Sequence, residues 1–75
     1  MDDVKITHIK SQMLGRCYSS TEYLVESPRP LEAADFNALR AARRLGYGQE
    51  FYTKDLGAAD GIFRYTAEDR VDSGD

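Results

Sequence analysis

Apolar and polar residues change their rhythm along this chain, and each change marks an element. Val4, Ile6 and His8 alternate with Lys5, Thr7 and Ile9. That period of two predicts a strand over residues 4–13. Leu14, Gly15 and Arg16 then supply a turn, and residues 17–20 suit a loop as well as a strand. Alternation is clear again over residues 22–26, where Tyr23 and Val25 point one way and Leu24 the other. Pro28 and Pro30 follow, one residue apart, and enforce a stiff, extended connection.

The rhythm then slows to that of a helix, predicted over residues 30–46. Pro30 suits the first helical position, where its missing N–H and fixed φ cost nothing. Glu32 and Asp35 sit near the positive end of the helix dipole, and Arg40, Arg43 and Arg44 near the negative end. Ala33, Ala34, Ala38, Ala41 and Ala42 are the best helix formers. Gly46 can take the left-handed conformation that closes a helix, and Tyr47 can fold back on the last turn. At about 100° per residue, Leu31, Ala34, Ala38, Ala41, Ala42 and Leu45 gather on one side. This small-residue face is expected to lie close to a sheet. Phe36 falls outside it, either covering the edge of the core or serving as an exposed anchor for a partner.

Beyond Gly48, residues 49–54 read as a strand, with Phe51 and Thr53 on one face and Tyr52 on the other. Residues 55–61 read as a loop ending in an Asp-Gly turn signal. Residues 62–67 read as its partner strand, with Phe63, Tyr65 and Ala67 facing inward. Residues 68–75 hold one apolar side chain and are expected to form a flexible acidic tail. The predicted fold is α+β: an antiparallel sheet in ββαββ order with one amphipathic helix packed on one face, a single domain over residues 1–67.

Length and charge narrow the functional classes. Seventy-five residues bury a small core, so dimerisation or a bound partner can add stability. A single cysteine, Cys17, rules out an intrachain disulfide and fits a reducing compartment. The start lacks a basic leader and an apolar run, and no stretch is long enough to span a bilayer, so a cytoplasmic protein is expected. The net charge of −3 argues against wholesale binding to nucleic acid. It is unevenly spread: residues 46–75 carry seven acids against three bases, whereas residues 1–45 are nearly balanced.

Candidate chemistry is sparse. His8 is the only histidine, which with one cysteine excludes a conventional zinc cluster. A Cys17–His8 dyad lacks an orienting group. Asp55 and Asp60 lack the dense carboxylate spacing of a calcium loop. Gly46 and Gly48 make no phosphate cradle, because no helix follows them. No cofactor is implied, and the chain reads as non-enzymatic.

Two binding readings remain. Arg40, Arg43 and Arg44 with Tyr47, Tyr52 and Tyr65 have the residue types of a nucleic-acid surface, although the acidic C-terminal half would repel phosphates. A protein-binding surface fits more features, since Tyr and Arg dominate interface energetics. Its candidate residues are Phe36, Arg40, Arg43, Tyr52, Tyr65, Glu22, Glu26 and Glu50. Alternatively, Glu22, Glu26, Glu50, Glu68 and Asp69 imitate phosphates as an electrostatic decoy.

In its size, its lack of a catalytic motif and its one Ala-rich helix among Tyr-bearing strands, the chain resembles the small α/β anti-CRISPR proteins of phages and mobile elements. The resemblance spans residues 4–67 and carries no shared motif, so it transfers no functional residue. It implies an inhibitor that binds a CRISPR effector subunit and blocks nucleic-acid access.

Overall fold

The computed structural model describes residues 3–46 and 48–72. Four strands and one helix follow the order ββαββ: β1 Lys5–Met13, β2 Tyr18–Ser27, α1 Ala33–Ala41, β3 Glu50–Ala59 and β4 Ile62–Asp72. The strands form one antiparallel sheet in the order β1-β2-β4-β3, so β2 and β4 are central and β1 and β3 are its edges. The α+β architecture predicted above is the architecture observed.

Strands β2, β3 and β4 all run further than their clear sequence signals, β2 taking in residues 18–21 and 27. The predicted loop over residues 55–61 shrinks to a two-residue turn, because β3 continues to Ala59 and β4 begins at Ile62. Asp60 and Gly61 both take positive φ, 57° and 76°, the conformation whose twist suits a tight hairpin. Gly57 does not break the strand. It sits at a bulge with φ 91°, and its N–H donates to the Asp55 side chain at 2.7 Å. The predicted acidic tail is likewise corrected: residues 68–72 pair with β2 as the second half of β4. Residues 73–75 of that tail lie outside the described residues.

The helix is shorter than expected and turns a different face inward. It spans nine residues, and Pro30 precedes it in an extended lead. Glu32 is the N-cap, and its N–H donates to Asp35 Oδ2 at 2.8 Å, half of a capping box. That bond, helped by Arg29, holds the Asp35 carboxyl below its ordinary range. At the other end Arg43 takes the left-handed conformation with φ 64°. Arg43 N donates to Arg40 O and Arg44 N to Leu39 O, both at 2.9 Å, which is the Schellman closure. The chain therefore leaves the helix three residues before Gly46. The expected contact of Tyr47 with the last turn lies outside the described residues.

Phe36 and Leu39 are the buried residues of α1, while Ala33, Ala34, Ala38 and Ala41 are exposed. The alanine-lined inner face is thus overturned. That face was anchored by Leu31 and Leu45, and both lie beyond the helix ends. Within the helix, burial follows area: a Phe or Leu side chain gains about 1.5–3 kcal/mol when buried, far more than a methyl group. Leu31 and Leu45 still join the core, delivered by the flanking segments.

The core occupies one side of the sheet. Val4, Val25, Tyr65 and Ala67 meet Leu31, Phe36, Leu39 and Leu45, with Ile6, Tyr23, Phe51 and Phe63 around them. Phe36 packs edge-on against Tyr65, with centroids 5.4 Å apart, and tilted against Phe51 at 6.4 Å. Asp69, only 5% exposed, ties the segment after the helix to β4 by accepting Gly48 N–H at 2.6 Å. A Cβ at Gly46 would stand 2.6 Å from the Asp69 carboxylate, so glycine is required there both for this contact and for its φ of 88°.

Candidate functional site

The helix covers one face of the sheet, and strand alternation decides what the other face carries. Tyr65, Ala67, Val25 and Phe51 point to the helix. Their neighbours one residue away point to the open side. Across that side the strands align residues in rows: Lys5, Glu26 and Arg64; Thr7, Leu24, Thr66 and Lys54; Lys10, Glu22, Glu68 and Tyr52; Gln12, Ser20, Arg70 and Glu50. A bulge between His8 and Lys10 shifts the β1 alternation, which keeps both lysines on this side.

Charges of both signs share the rows, and three opposite pairs are in contact, although Glu22 and Glu68 stand directly across from each other. Arg64 Nε lies 3.0 Å from Glu26, Arg70 Nε 3.0 Å from Glu68, and Lys10 Nζ 4.0 Å from Glu22. Ser20 donates to Glu68 at 2.6 Å. Glu50 accepts hydrogen bonds from the hydroxyls of Tyr18 and Tyr52. The Arg70 guanidinium lies 5.1 Å from the Tyr52 ring centroid, within cation–π range. Each such half-exposed pair contributes at most about 1 kcal/mol to stability. The network therefore does more to fix where donors and acceptors stand than to hold the fold.

The same contacts set the acidity of the groups. The Ser20 hydrogen bond, and then Arg70, hold the Glu68 carboxyl below its ordinary range. Donation to Glu50 raises the pKa of both Tyr18 and Tyr52. Hydrogen bonds to Glu68 and Tyr18 keep Arg70 firmly protonated. At the end of the sheet, the Gln49 amide extends the ladder past β3: it donates to Asp72 O and accepts Asp72 N–H, both at 3.0 Å.

Four of the sequence-derived candidates, Glu22, Glu26, Glu50 and Tyr52, stand together on this open face. Phe36 and Tyr65 do not: each is 6% exposed in the core, out of reach of a partner. Arg40 lies on the helix side, 4.4 Å from the Phe51 ring centroid, and donates to Gly48 O at 2.8 Å. Arg44 donates to Val4 O at 2.8 Å, and Arg43 closes the helix. The basic, aromatic surface is thus not assembled. Phe51 faces the helix and its arginines, so Tyr52 must face away from them.

The electrostatic decoy changes as well. Asp69 is buried on the helix side. The open face carries Lys5, Lys10, Lys54, Arg64 and Arg70 against Glu22, Glu26, Glu50, Glu68 and Asp72, so it has no net charge. Tyr18, Ser20, Arg64 and Arg70 are members of the site that sequence reasoning missed. The alternation of Thr66, Glu68 and Arg70 was their signal, and the charged Asp69 on the inner side obscured it.

His8 and Cys17 are separated. His8 pairs with Tyr23 in the sheet and hydrogen-bonds Ser11 at 2.9 Å. Cys17 sits past the turn, beyond the Met13–Ser19 pair, at least five strand residues or roughly 15 Å away. Among the described residues, no three His, Cys, Asp or Glu side chains gather as a metal site, and no helix is long and apolar enough to cross a membrane. Comparison with protein-family models, with curated proteins and with solved structures returns no match for this chain.

Proposed function

We propose that this chain is a non-enzymatic protein-binding inhibitor that lays the open face of its sheet against a partner. The observation that carries the reading is the pre-set network on that face. Glu26–Arg64, Glu68–Arg70 and the tyrosines on Glu50 hold mixed charge and aromatic surface in fixed positions. Side chains already ordered lose less entropy on binding, and a charge pattern of both signs selects its complement and rejects mismatches. The narrower form of the proposal follows the resemblance to anti-CRISPR proteins. The partner is then a subunit of a CRISPR effector complex, and the chain blocks nucleic-acid access sterically, since its open face is neutral overall.

The test is inhibition of target-DNA cleavage by reconstituted effector complexes. Glu26→Lys and Arg64→Glu each invert one sign of the pattern, and Ala38→Glu alters the exposed helix face as a control. Inhibition lost in the first two and kept in the third supports both forms. Inhibition that survives both reversals overturns the open face as the contact. No inhibition of any effector type overturns the narrower form. A direct, salt-dependent shift of labelled DNA or RNA would replace protein binding with nucleic-acid binding.

A further inference from the structure

The two edges of the sheet differ in what they offer a neighbour. Each ends in backbone N–H and C=O groups with no strand beside them, which can template pairing with another chain. On β1, the open side of the edge carries Lys5 and Lys10, and the bulge between His8 and Lys10 breaks the strand in its middle. Like charge and a mid-strand bulge both discourage a second strand. On β3 the bulge comes late, between Asp55 and Gly57, so residues 50–54 form an unbroken edge. Their open side reads Glu50, Tyr52, Lys54, an acid and a base placed symmetrically about a tyrosine.

We propose that the β3 edge pairs with the β3 edge of a second copy, antiparallel, about a two-fold axis at Tyr52. In that register Glu50 of each copy faces Lys54 of the other, and Tyr52 faces Tyr52. An isologous contact requires this self-complementarity. Lys54 has no ion-pair partner within its own chain among the described residues. Opposite charges directly across an antiparallel pair attract, and aromatic pairs add to them. Shifting the register by two residues would set Glu50 against Tyr52 or Tyr52 against Lys54, and a shift of four would oppose like charges, Glu50 to Glu50 or Lys54 to Lys54, so the pattern selects one alignment. The result is a continuous eight-stranded sheet with both helices on one face. The contact is made at the edge and goes beyond the binding role of the open face; Glu50 and Tyr52 belong to both, so self-association, which the inhibition assay with Glu26→Lys or Arg64→Glu does not read, is what tests it.

The test is sedimentation equilibrium of the full chain over a concentration series reaching the millimolar range. Wild type is expected to approach twice the monomer mass. Glu50→Lys and Lys54→Glu, each folded by circular dichroism, are expected to remain monomeric. An equimolar mixture of these two variants restores both cross-strand pairs and is expected to recover the dimer. In a Cys17→Ser background, Tyr52→Cys is expected to form a disulfide-linked dimer on mild oxidation, because directly opposed residues lie within disulfide reach. Thr7→Cys on the β1 edge is expected not to. A monomeric wild type throughout the series, dimerisation unaffected by either reversal, or equal crosslinking from both cysteines would overturn the assignment.

Discussion

The hydroxyl of Tyr65 accepts the backbone N–H of Leu31 at 2.9 Å inside the core, joining the central strand β4 to the lead into the helix. Pro30 has no N–H of its own, so Leu31 supplies the first backbone donor after the proline pair. The bond fixes where the chain turns from the sheet to α1, while the Tyr65 ring packs against Phe36. Tyr65→Phe keeps the ring and removes the acceptor, leaving a buried N–H unpaired. The expected destabilisation is about 1–3 kcal/mol by urea unfolding, with an unchanged m-value. A change within the error of the extrapolation would mean that Leu31 N–H finds another acceptor.

Arg43 closes the helix in a conformation that glycine adopts more easily. Its φ of 64° places a Cβ where a left-handed residue is disfavoured by roughly 1–2 kcal/mol. Arg43→Gly is expected to stabilise the protein by about 1 kcal/mol relative to Arg43→Ala, which loses the same charge but keeps the backbone strain. Thermal melts of the two variants make the comparison. A melting temperature for the glycine variant at or below that of the alanine variant would show that the closure carries no such strain.

How much of this was legible in the sequence depends on how local the deciding interaction is. The order of elements followed from alternation at Val4, Ile6 and His8, from the alanine-rich middle, and from Asp60-Gly61, whose chemistry forces a turn by itself. The inward side of α1 was not local. Leu31 and Leu45 dominated the helical projection, yet Glu32 and Arg43 end the helix inside them, and Phe36 then decides the face by area. The second half of β4 was hidden for a related reason. Asp69 points into the molecule, where a strand pattern demands an apolar residue, and only its bond to Gly48 explains the exception. The open face was half visible: Glu22, Glu26, Glu50 and Tyr52 were singled out, but their pairing with Arg64 and Arg70 needed the register of three strands.

Glu68 gives the open face a pH signature. Its carboxyl is held below the ordinary range, first by Ser20 and then by Arg70, so the folded state favours the ionised form more than the unfolded state does. The stabilisation is therefore complete above the ordinary glutamate value of 4.5 and is lost as pH falls through the lower folded-state value. Carboxyl chemical shifts followed by NMR should place the Glu68 midpoint below that of a freely exposed glutamate. Ser20→Ala should move it upward. A Glu68 midpoint that ignores the Ser20 substitution would assign the depression to Arg70 alone.

Gly48 precedes β3 and Gly57 lies within it, and glycine is needed at each for a different reason. At Gly57 the space around a Cβ is open, and only the φ of 91° opposes a side chain. Gly57→Ala should therefore cost about 1–2 kcal/mol, the strain of a left-handed residue. At Gly48 a Cβ would stand 2.2 Å from the Arg70 carbonyl oxygen, which is backbone of a central strand and cannot swing aside. Relieving that clash pushes the segment off β4 and weakens two bonds at once, Gly48 N–H to Asp69 and Arg40 to Gly48 O. Asp69 would then be a buried carboxylate short of its donor, so Gly48→Ala should cost about 3 kcal/mol or more. Urea unfolding of the two variants side by side tests the ranking. Equal losses, or a larger loss at Gly57, would mean that the Asp69 tether gives way without harm to the sheet.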